Sequence, residues 1–498
     1  MERNLDLALP RAADAAASRR AFLLGDARTK YGLYAICLGF ALVLLDTTAL
    51  NVAVESIQRD LGGSLGGLQW VVNSYTIVLA SCLLTAGALC DRLGARRFYQ
   101  VGLLLFVGMS ALCGLSPGVG FLIGARALQG LGAAIMLPAS LALLSHEFPD
   151  TDDRARAVAF WASIVSLAFA VGPVLGGALT SAFGWRSIFF LNVPLGLLAL
   201  FLIQRFVAAS PAARGRQIDI AGQAAISLAL VGLTFGLIEA GSMGWAAPRV
   251  IVAFALAVAG ALAFLRIERT SAAPTFPRTL MASPIFTVCV GIGAVLNFGM
   301  YGVLFIESVY LQSVRHLSVL DAGLAILPFT LTPTITTRLI VRYSGREYLR
   351  RRLVVGHAVT VGGAGLLALS LTNPGIGLIL LGLGLLGVGM GCIMPAMTAG
   401  VLTASSAQDA GVASGILNAA RQVGGTLGVA LMGALVQRFP EAGYRGSFLL
   451  TAASYLVMGV FTGRLLTDSP GRSPDSGSRR GLPESGTTRL KNGTSRGG

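Results

Sequence analysis

The chain has 498 residues, of which 54% are hydrophobic and only 12% charged, about half the charged share of an ordinary globular protein. Mean hydropathy is +0.73, and that little charge cannot cover a water-soluble surface of this size. The composition therefore excludes a soluble enzyme, a disordered chain and a collagen-like chain. The long, continuous apolar stretches exclude a transmembrane β-barrel, whose strands alternate. What remains is an all-α polytopic membrane protein. The net charge of +15 is not read as a nucleic-acid signal, because the basic residues fall in short gaps between apolar segments.

The first 30 residues are polar and basic with no apolar core, so no cleavable signal peptide is expected. Fourteen stretches can then cross roughly 30 Å of hydrocarbon: 31–51, 68–89, 98–116, 121–144, 158–180, 186–205, 219–240, 249–267, 284–308, 320–340, 353–371, 376–400, 411–436 and 447–465. Seventeen Lys and Arg lie in the short loops on the side of the N-terminus against six on the other. This bias places both termini in the cytoplasm, which requires an even number of spans. Cys37, Cys82, Cys90, Cys113, Cys289 and Cys392 all sit in or beside apolar stretches and are read as small buried side chains. His146, His316 and His357 are scattered, so no metal site is expected.

The chain repeats itself weakly. GLGAAIMLPA (130–139) has a counterpart in GVGMGCIMPA (387–396), and GPVLGG (172–177) in GGTLGV (424–429). These matches pair spans 1–6 with spans 9–14. The organisation read from them is a cytoplasmic tail (1–30), a six-helix bundle (31–205), an inserted pair of spans with flanking loops (206–283), a second six-helix bundle (284–465) and a disordered cytoplasmic tail (466–498). Two like-oriented six-helix halves are a layout for alternating access.

At this point the motifs resemble a known family. LLDTTALNVAVESIQRDL (44–61), WVVNSYTIVLASCLLTAGALCDRLGARR (70–97), RALQGLGAAIMLPA (126–139), GPVLGGAL (172–179), GWRSIFFLNVPLG (184–196), YLQSVRHLSVLDAGLAILP (310–328) and GVASGILNAARQVGGTLGVA (411–430) are similar to segments of the major facilitator superfamily. The likeness is to its 14-helix drug:proton antiporters and covers residues 31–465. It implies a major facilitator fold of two six-helix halves plus two additional helices. The loop between spans ten and eleven departs from the pattern: RLIVRYSGREYLRRRLVVG (338–356) keeps the basic residues but lacks the acid found between spans two and three.

An ionised carboxylate inside a span is costly unless paired, hydrated or protonated, so Asp46 in span 1 is a candidate for proton coupling, with Asn51 in its network. Glu307, near the far end of span nine, is a second candidate for coupling or for binding cationic substrate. Glu239 closes span seven and is read as a helix-end residue. Arg126 opens span four. The resemblance makes it the arginine of proton transfer, and a cation there can also hold a network of Gln129, Asp46 or Asn51 together. Asp91, Arg92, Arg96 and Arg97 occupy a tight turn after span two, where Gly87 and Gly94 permit a reversal. The resemblance implies gating for this turn through Asp91. Gly172, Pro173, Gly176 and Gly177 strip bulk from span five, and that face is expected to pack on span ten and to take part in gating. Trp70, Asn73, Tyr75, Asn297, Tyr301, Tyr310, Gln312, Asn418 and Gln422, with Asn51 and Gln129, are candidates for the wall of a central cavity.

No Walker A sequence or other nucleotide-binding motif is present, so neither an enzyme nor a cofactor is expected. The leading expectation is a monomeric, proton-coupled antiporter in the bacterial inner membrane that exports lipophilic small molecules, cationic ones among them. Its partners would be substrate, protons and membrane lipids. The alternatives are a dedicated exporter of one self-made antibiotic or metabolite and a non-transporting sensor or scaffold. Reporter fusions after residues 118, 245 and 373 are expected to report the external side. A cytoplasmic signal at 245 removes the inserted pair.

Overall fold

A computed structural model describes residues 27–210, 219–270, 277–340, 348–373, 375–406 and 409–466. The tails, and the part of the 338–356 loop at 341–347, lie outside the described residues. Among those described there are fourteen long helices: α1 Ala27–Leu61, α2 Leu65–Leu93, α3 Ala95–Gly114, α4 Val119–Glu147, α5 Thr151–Phe183, α6 Arg186–Phe206, α7 Ile220–Met243, α8 Pro248–Thr270, α9 Pro284–Val309, α10 Val319–Ile340, α11 Leu349–Ser370, α12 Gly377–Ala404, α13 Ala410–Arg438 and α14 Ala442–Leu465. Thirteen are long and apolar enough to cross a membrane by length and composition. The other, α2, carries Gln69, Asn73, Ser74 and Thr76 on a buried face.

The helices outrun the apolar stretches that predicted them. α1 has 35 residues, about 52 Å at 1.5 Å per residue, well beyond the hydrocarbon. The breaks between helices have local causes. Ser64 caps α2 by accepting from the Gly67 amide at 3.2 Å. Gly94 separates α2 from α3 at φ +84°, a conformation that a Cβ disfavours. Gly87 has open space around it and makes no close approach, so the reversal belongs to Gly94 alone. Asp150 caps α5 by accepting from the amides of Asp152 and Asp153 at 2.9 and 3.0 Å, and these bonds hold its carboxyl below the usual carboxylate range.

The internal repeat has a physical counterpart. Gly132 of α4 meets the backbone of α3 at Phe106 and Gly102, and its repeat partner Gly389 of α12 meets the backbone of α11 at Gly356. Gly172 and Gly176 of α5 meet Thr48 and Ala49 of α1, while Gly424 and Gly428 of α13 meet Ala294 and Phe298 of α9. The same small residues therefore bring equivalent helix pairs together in both six-helix sets.

The two sets meet along two seams, α5 with α10 and α2 with α13. α7 and α8 pack on each other, and α7 lies against both α2 and α13. Thr85 Oγ1 donates to Gln223 Oε1 at 2.6 Å, and Gln223 Nε2 donates to the Ser81 carbonyl, which ties one end of α7 to α2. Nearer the other end of α7, Phe235 packs on Trp70, and Gly241 meets Ala434 of α13.

A Cβ on Gly424 would strike the Ala294 carbonyl, which is backbone and cannot move aside. Gly424→Leu is therefore expected to destabilise the protein by at least the roughly 1–3 kcal/mol typical of overpacking. Gly108→Leu, at a position with open space around it, is expected to leave the thermal unfolding temperature in detergent unchanged.

Candidate functional site

Asp46 and Arg126 form a buried ion pair. Arg126 Nη1 lies 2.5 Å from Asp46 Oδ2, with side-chain exposures of 1% and 0%. Gln129, one turn along α4 from Arg126, accepts from Nη1 at 2.7 Å and donates to Asp46 Oδ1 at 3.1 Å. Asn192 of α6 donates to the same Oδ1 at 2.9 Å and to Ser110 Oγ of α3 at 3.0 Å, and Ser110 donates to the Phe189 carbonyl at 2.9 Å. The guanidinium stacks over the Tyr75 ring of α2 at 4.2 Å, a cation–π contact. Its Nε reaches the Val71 carbonyl at 3.4 Å. One carboxylate thus accepts three donors from two helices, and one cation is shared among three helices.

Sequence reasoning did not single out Asn192 or Ser110. The signal for Asn192 was a lone amide in the apolar run IFFLNVPLG. Asn51, expected in this network, is not part of it: its Nδ2 donates to the Thr47 carbonyl of its own helix at 2.7 Å. Five residues along a helix place it about 140° round from Asp46.

A small cavity lies beside the network. Tyr75, Tyr301 and Gln422 line it as expected for cavity candidates, together with Thr47, Thr76, Phe40, Val43, Leu44, Leu79 and Leu137. The remaining candidates lie elsewhere. Trp70 packs on Phe235 of the inserted pair. Asn73 is fully buried, with no partner for its amide atoms among the described residues. Tyr310 packs on Tyr444 with centroids 5.3 Å apart. Asn297 and Asn418 both accept from Arg421. Gln312 sits in a π-helical turn, Tyr310–Val314, that extends α9, and donates across the halves to the Val52 carbonyl at 2.9 Å.

Glu307 of α9 is 1% exposed, and neither of its oxygens has a hydrogen-bond partner among the described residues. It stands apart from the Asp46 network. Glu239 lies at the end of α7, where its carbonyl accepts from Ser242 Oγ.

The turn after α2 is only partly described. The Asp91 side chain lies outside the described residues. Arg92 and Arg97 are exposed, and Arg96 Nη2 donates to the Gln204 carbonyl of α6 at 2.7 Å, within the same half. The small-residue face of α5 divides in two, which corrects the expectation that all of it meets span ten. Gly177 meets Val319 and Leu320 of α10, and the Pro173 carbonyl meets Gly323, but Gly172 and Gly176 face α1. Residues four apart share a helix face, and 172/176 and 173/177 lie on neighbouring faces.

The inter-half hydrogen bonds between described residues cluster toward one end. They run from Gln69 to the Val429 and Ala430 carbonyls at 2.9 and 2.8 Å, from Thr426 to Thr76 at 3.0 Å, from Gln312 to Val52 and from Thr330 to the Ala170 carbonyl at 3.0 Å. They extend from about the middle of the bundle to the end where α1 finishes and α2 begins. At that end Asp60 also accepts from Trp185 Nε1 at 3.0 Å and from Arg186.

This architecture is that of a helical membrane transporter. The profile described as Major Facilitator Superfamily matches residues 36–349 and, in a second match, 288–494. The chain belongs to that superfamily and is a multi-pass membrane protein. It is 35% identical over 443 residues to the methylenomycin A resistance protein of Streptomyces coelicolor, covering 88% of this chain and 93% of that one. It is 37% identical over 410 residues to the multidrug resistance protein Stp of Mycobacterium tuberculosis, covering 82% and 76%. In fold it resembles a bacterial homolog of the human lysosomal transporter Spinster, in an inward-facing, unoccupied conformation. The TM-score is 0.64, at 15% identity, over 89% of this chain and 97% of the other.

Breaking a buried pair by removing one partner leaves an uncompensated charge, at a cost of about 3–5 kcal/mol. Asp46→Leu is therefore expected to lower thermal stability by that order. Asp46→Leu combined with Arg126→Met is expected to recover most of the loss. Additive losses in the double variant would show that the two side chains do not interact.

Proposed function

We propose that this chain is a proton-coupled exporter of lipophilic small molecules, acting as a monomer by alternating access in the bacterial cytoplasmic membrane. The observation that carries this reading is the ion-pair network and its adjacency to the cavity. Thr47, next to Asp46, and Tyr75, beneath Arg126, both line that cavity. A proton arriving on Asp46 would neutralise the carboxylate and release the guanidinium, loosening the tie between α1 and α4. A change in charge would thereby become a change in helix packing beside the substrate. Glu307 supplies a second buried carboxyl, and binding a proton there removes an uncompensated charge. The names of the relatives support resistance and efflux.

In this reading the loop charges would put the bonded end of the bundle outside, so the seam between the halves would be closed on the outward side. A dedicated exporter of one antibiotic or metabolite is the second reading. It is favoured by relatives named for a single compound, such as the methylenomycin A resistance protein.

The test is substrate transport into vesicles with an imposed pH gradient, with proton movement followed by an internal dye. Wild-type protein is expected to accumulate drug uphill with counter-movement of protons. Asp46→Asn is expected to abolish uphill transport while leaving a folded protein that binds a neutral drug. Full gradient-driven transport by Asp46→Asn, Glu307→Gln and the double variant would refute coupling at these carboxyls.

A further inference from the structure

The second half holds its own intramembrane arginine, and that arginine is handled quite differently from Arg126. Arg421 lies near the middle of α13, its stem crossing α9 at Gly293, where an added Cβ would come within 3.1 Å of its Cγ. Its Nε faces Asn297 Oδ1 of α9 at 3.3 Å and its Nη1 faces Asn418 Oδ1 at 3.4 Å. Both acceptors are neutral amides, and both bonds are long. Among the described residues no carboxylate lies within ion-pair distance of this guanidinium, whereas Arg126 has Asp46 at 2.5 Å. The repeat is thus symmetric in its glycines and asymmetric in its charge.

Arg421 also adjoins the cavity. Its chain neighbour Gln422 lines it, and so does Tyr301, which packs on Gly425 one turn further along α13. Arg421 itself is half-buried. Among the described residues the cavity wall offers aliphatic and aromatic surface, hydroxyls and an amide, but no carboxylate. A cationic solute would find no counter-charge on this wall, and beside it stands a guanidinium with none of its own.

An arginine inside a span is costly when its charge is uncompensated. The planar fork of donors is matched best by a planar oxyanion, which it can bind through two parallel hydrogen bonds. We propose that Arg421, steered by Asn297 and Asn418, recognises an acidic group on the transported compound, so that substrates include lipophilic organic anions such as aryl and arylacetic carboxylates. The proposal deepens the efflux reading by naming a substrate class, and it rests on that reading for the word substrate. The site itself is testable by binding alone.

The experiment uses full-length protein in nanodiscs of phosphatidylcholine, which supply no net anionic lipid. The probes are 1-naphthylacetate, its uncharged amide and 1-naphthylmethylammonium, which share one aromatic body. Wild-type protein is expected to bind the acid at least tenfold more tightly than the amide, and the ammonium most weakly. Arg421→Gln is expected to erase the difference between acid and amide without changing affinity for the amide, and Arg421→Lys to keep part of it. Equal binding of acid and amide by wild type would overturn the proposal, as would an unchanged preference in Arg421→Gln. If Arg421→Gln does not fold, the wild-type comparison and Arg421→Lys still decide. Phosphatidylglycerol added to the discs tests whether a net anionic lipid headgroup is the true occupant. Occupancy of Arg421 by that lipid, with no preference for naphthylacetate in its absence, would overturn the proposal. Selective anion binding by a protein that moves no drug in vesicles would sink the efflux reading and leave the site standing.

Discussion

The Asp46–Arg126 pair sets the terms for the first half of the molecule. Hydrocarbon provides no water to solvate either charge, so each must be met by protein donors and acceptors or not be charged at all. Asp46 is met by Arg126, Gln129 and Asn192. Arg126 is met by Asp46, Gln129, the Val71 carbonyl and the Tyr75 face. Satisfying two charges therefore fixes α1, α2, α4 and α6 relative to one another, with α3 joined through Ser110. The second half shows no equivalent pair among its described residues. It is held by glycine-mediated contact, as at Gly424 and Gly428 on α9, and by bonds such as Tyr455 to the Leu296 carbonyl at 3.0 Å. Similar backbones are thus secured by different chemistry.

The seams between the halves are built more lightly. Their bonds are single contacts, mostly to backbone carbonyls, of a kind worth about 0.5–1.5 kcal/mol each. Small residues at Gly177 and Gly323 let helices slide past one another without unpacking large side chains. Strong ties within halves and weak ties between them are what rigid-body rocking requires. The inserted pair complicates this motion. α7 is bonded to α2 through Gln223 but meets α13 through the sterically close Gly241. In the proposed cycle the polar tie would carry the pair with the first half, leaving the α7–α13 contact as the surface that slips.

Much of this was legible in the sequence, for physical reasons that can be named. Span number follows from hydrocarbon thickness, and fourteen apolar stretches became fourteen helices. The partners of Asp46 on α4 were legible because charge inside a membrane must be paired and the helix-four motif supplied the cation. Asn192 was not, since one amide in an apolar helix does not say which way it faces. Asn51 and Trp70 show the converse: a polar or aromatic type was correctly seen as unusual, but its angle round the helix pointed it away from the site. The seam position of α7 was invisible, because nothing in an apolar helix says which groove it fills. Arg421 was visible only as a charge in a span, and its lack of a counter-ion is a fact of three dimensions.

The two buried carboxyls stand in opposite situations, and this bears on the proposed cycle. Asp46 accepts three bonds in the present conformation, one of them from a cation. A proton on it would remove the charge that holds the guanidinium, which is itself held by α2 and α4. In the proposed cycle, protonation of Asp46 and loosening of the first half would therefore be one event. Glu307 has no donor to displace, so a proton can reside on it without local rearrangement. It lies five residues before Gln312, the residue that bonds across the seam to Val52. A carboxyl that carries its proton at little structural cost is suited to exchanging protons with the medium. A carboxyl on α1 that is tied to both α4 and α6 is suited to converting a proton into movement. In the proposed cycle the two tasks would fall to two residues, where the sequence suggested Asp46 first.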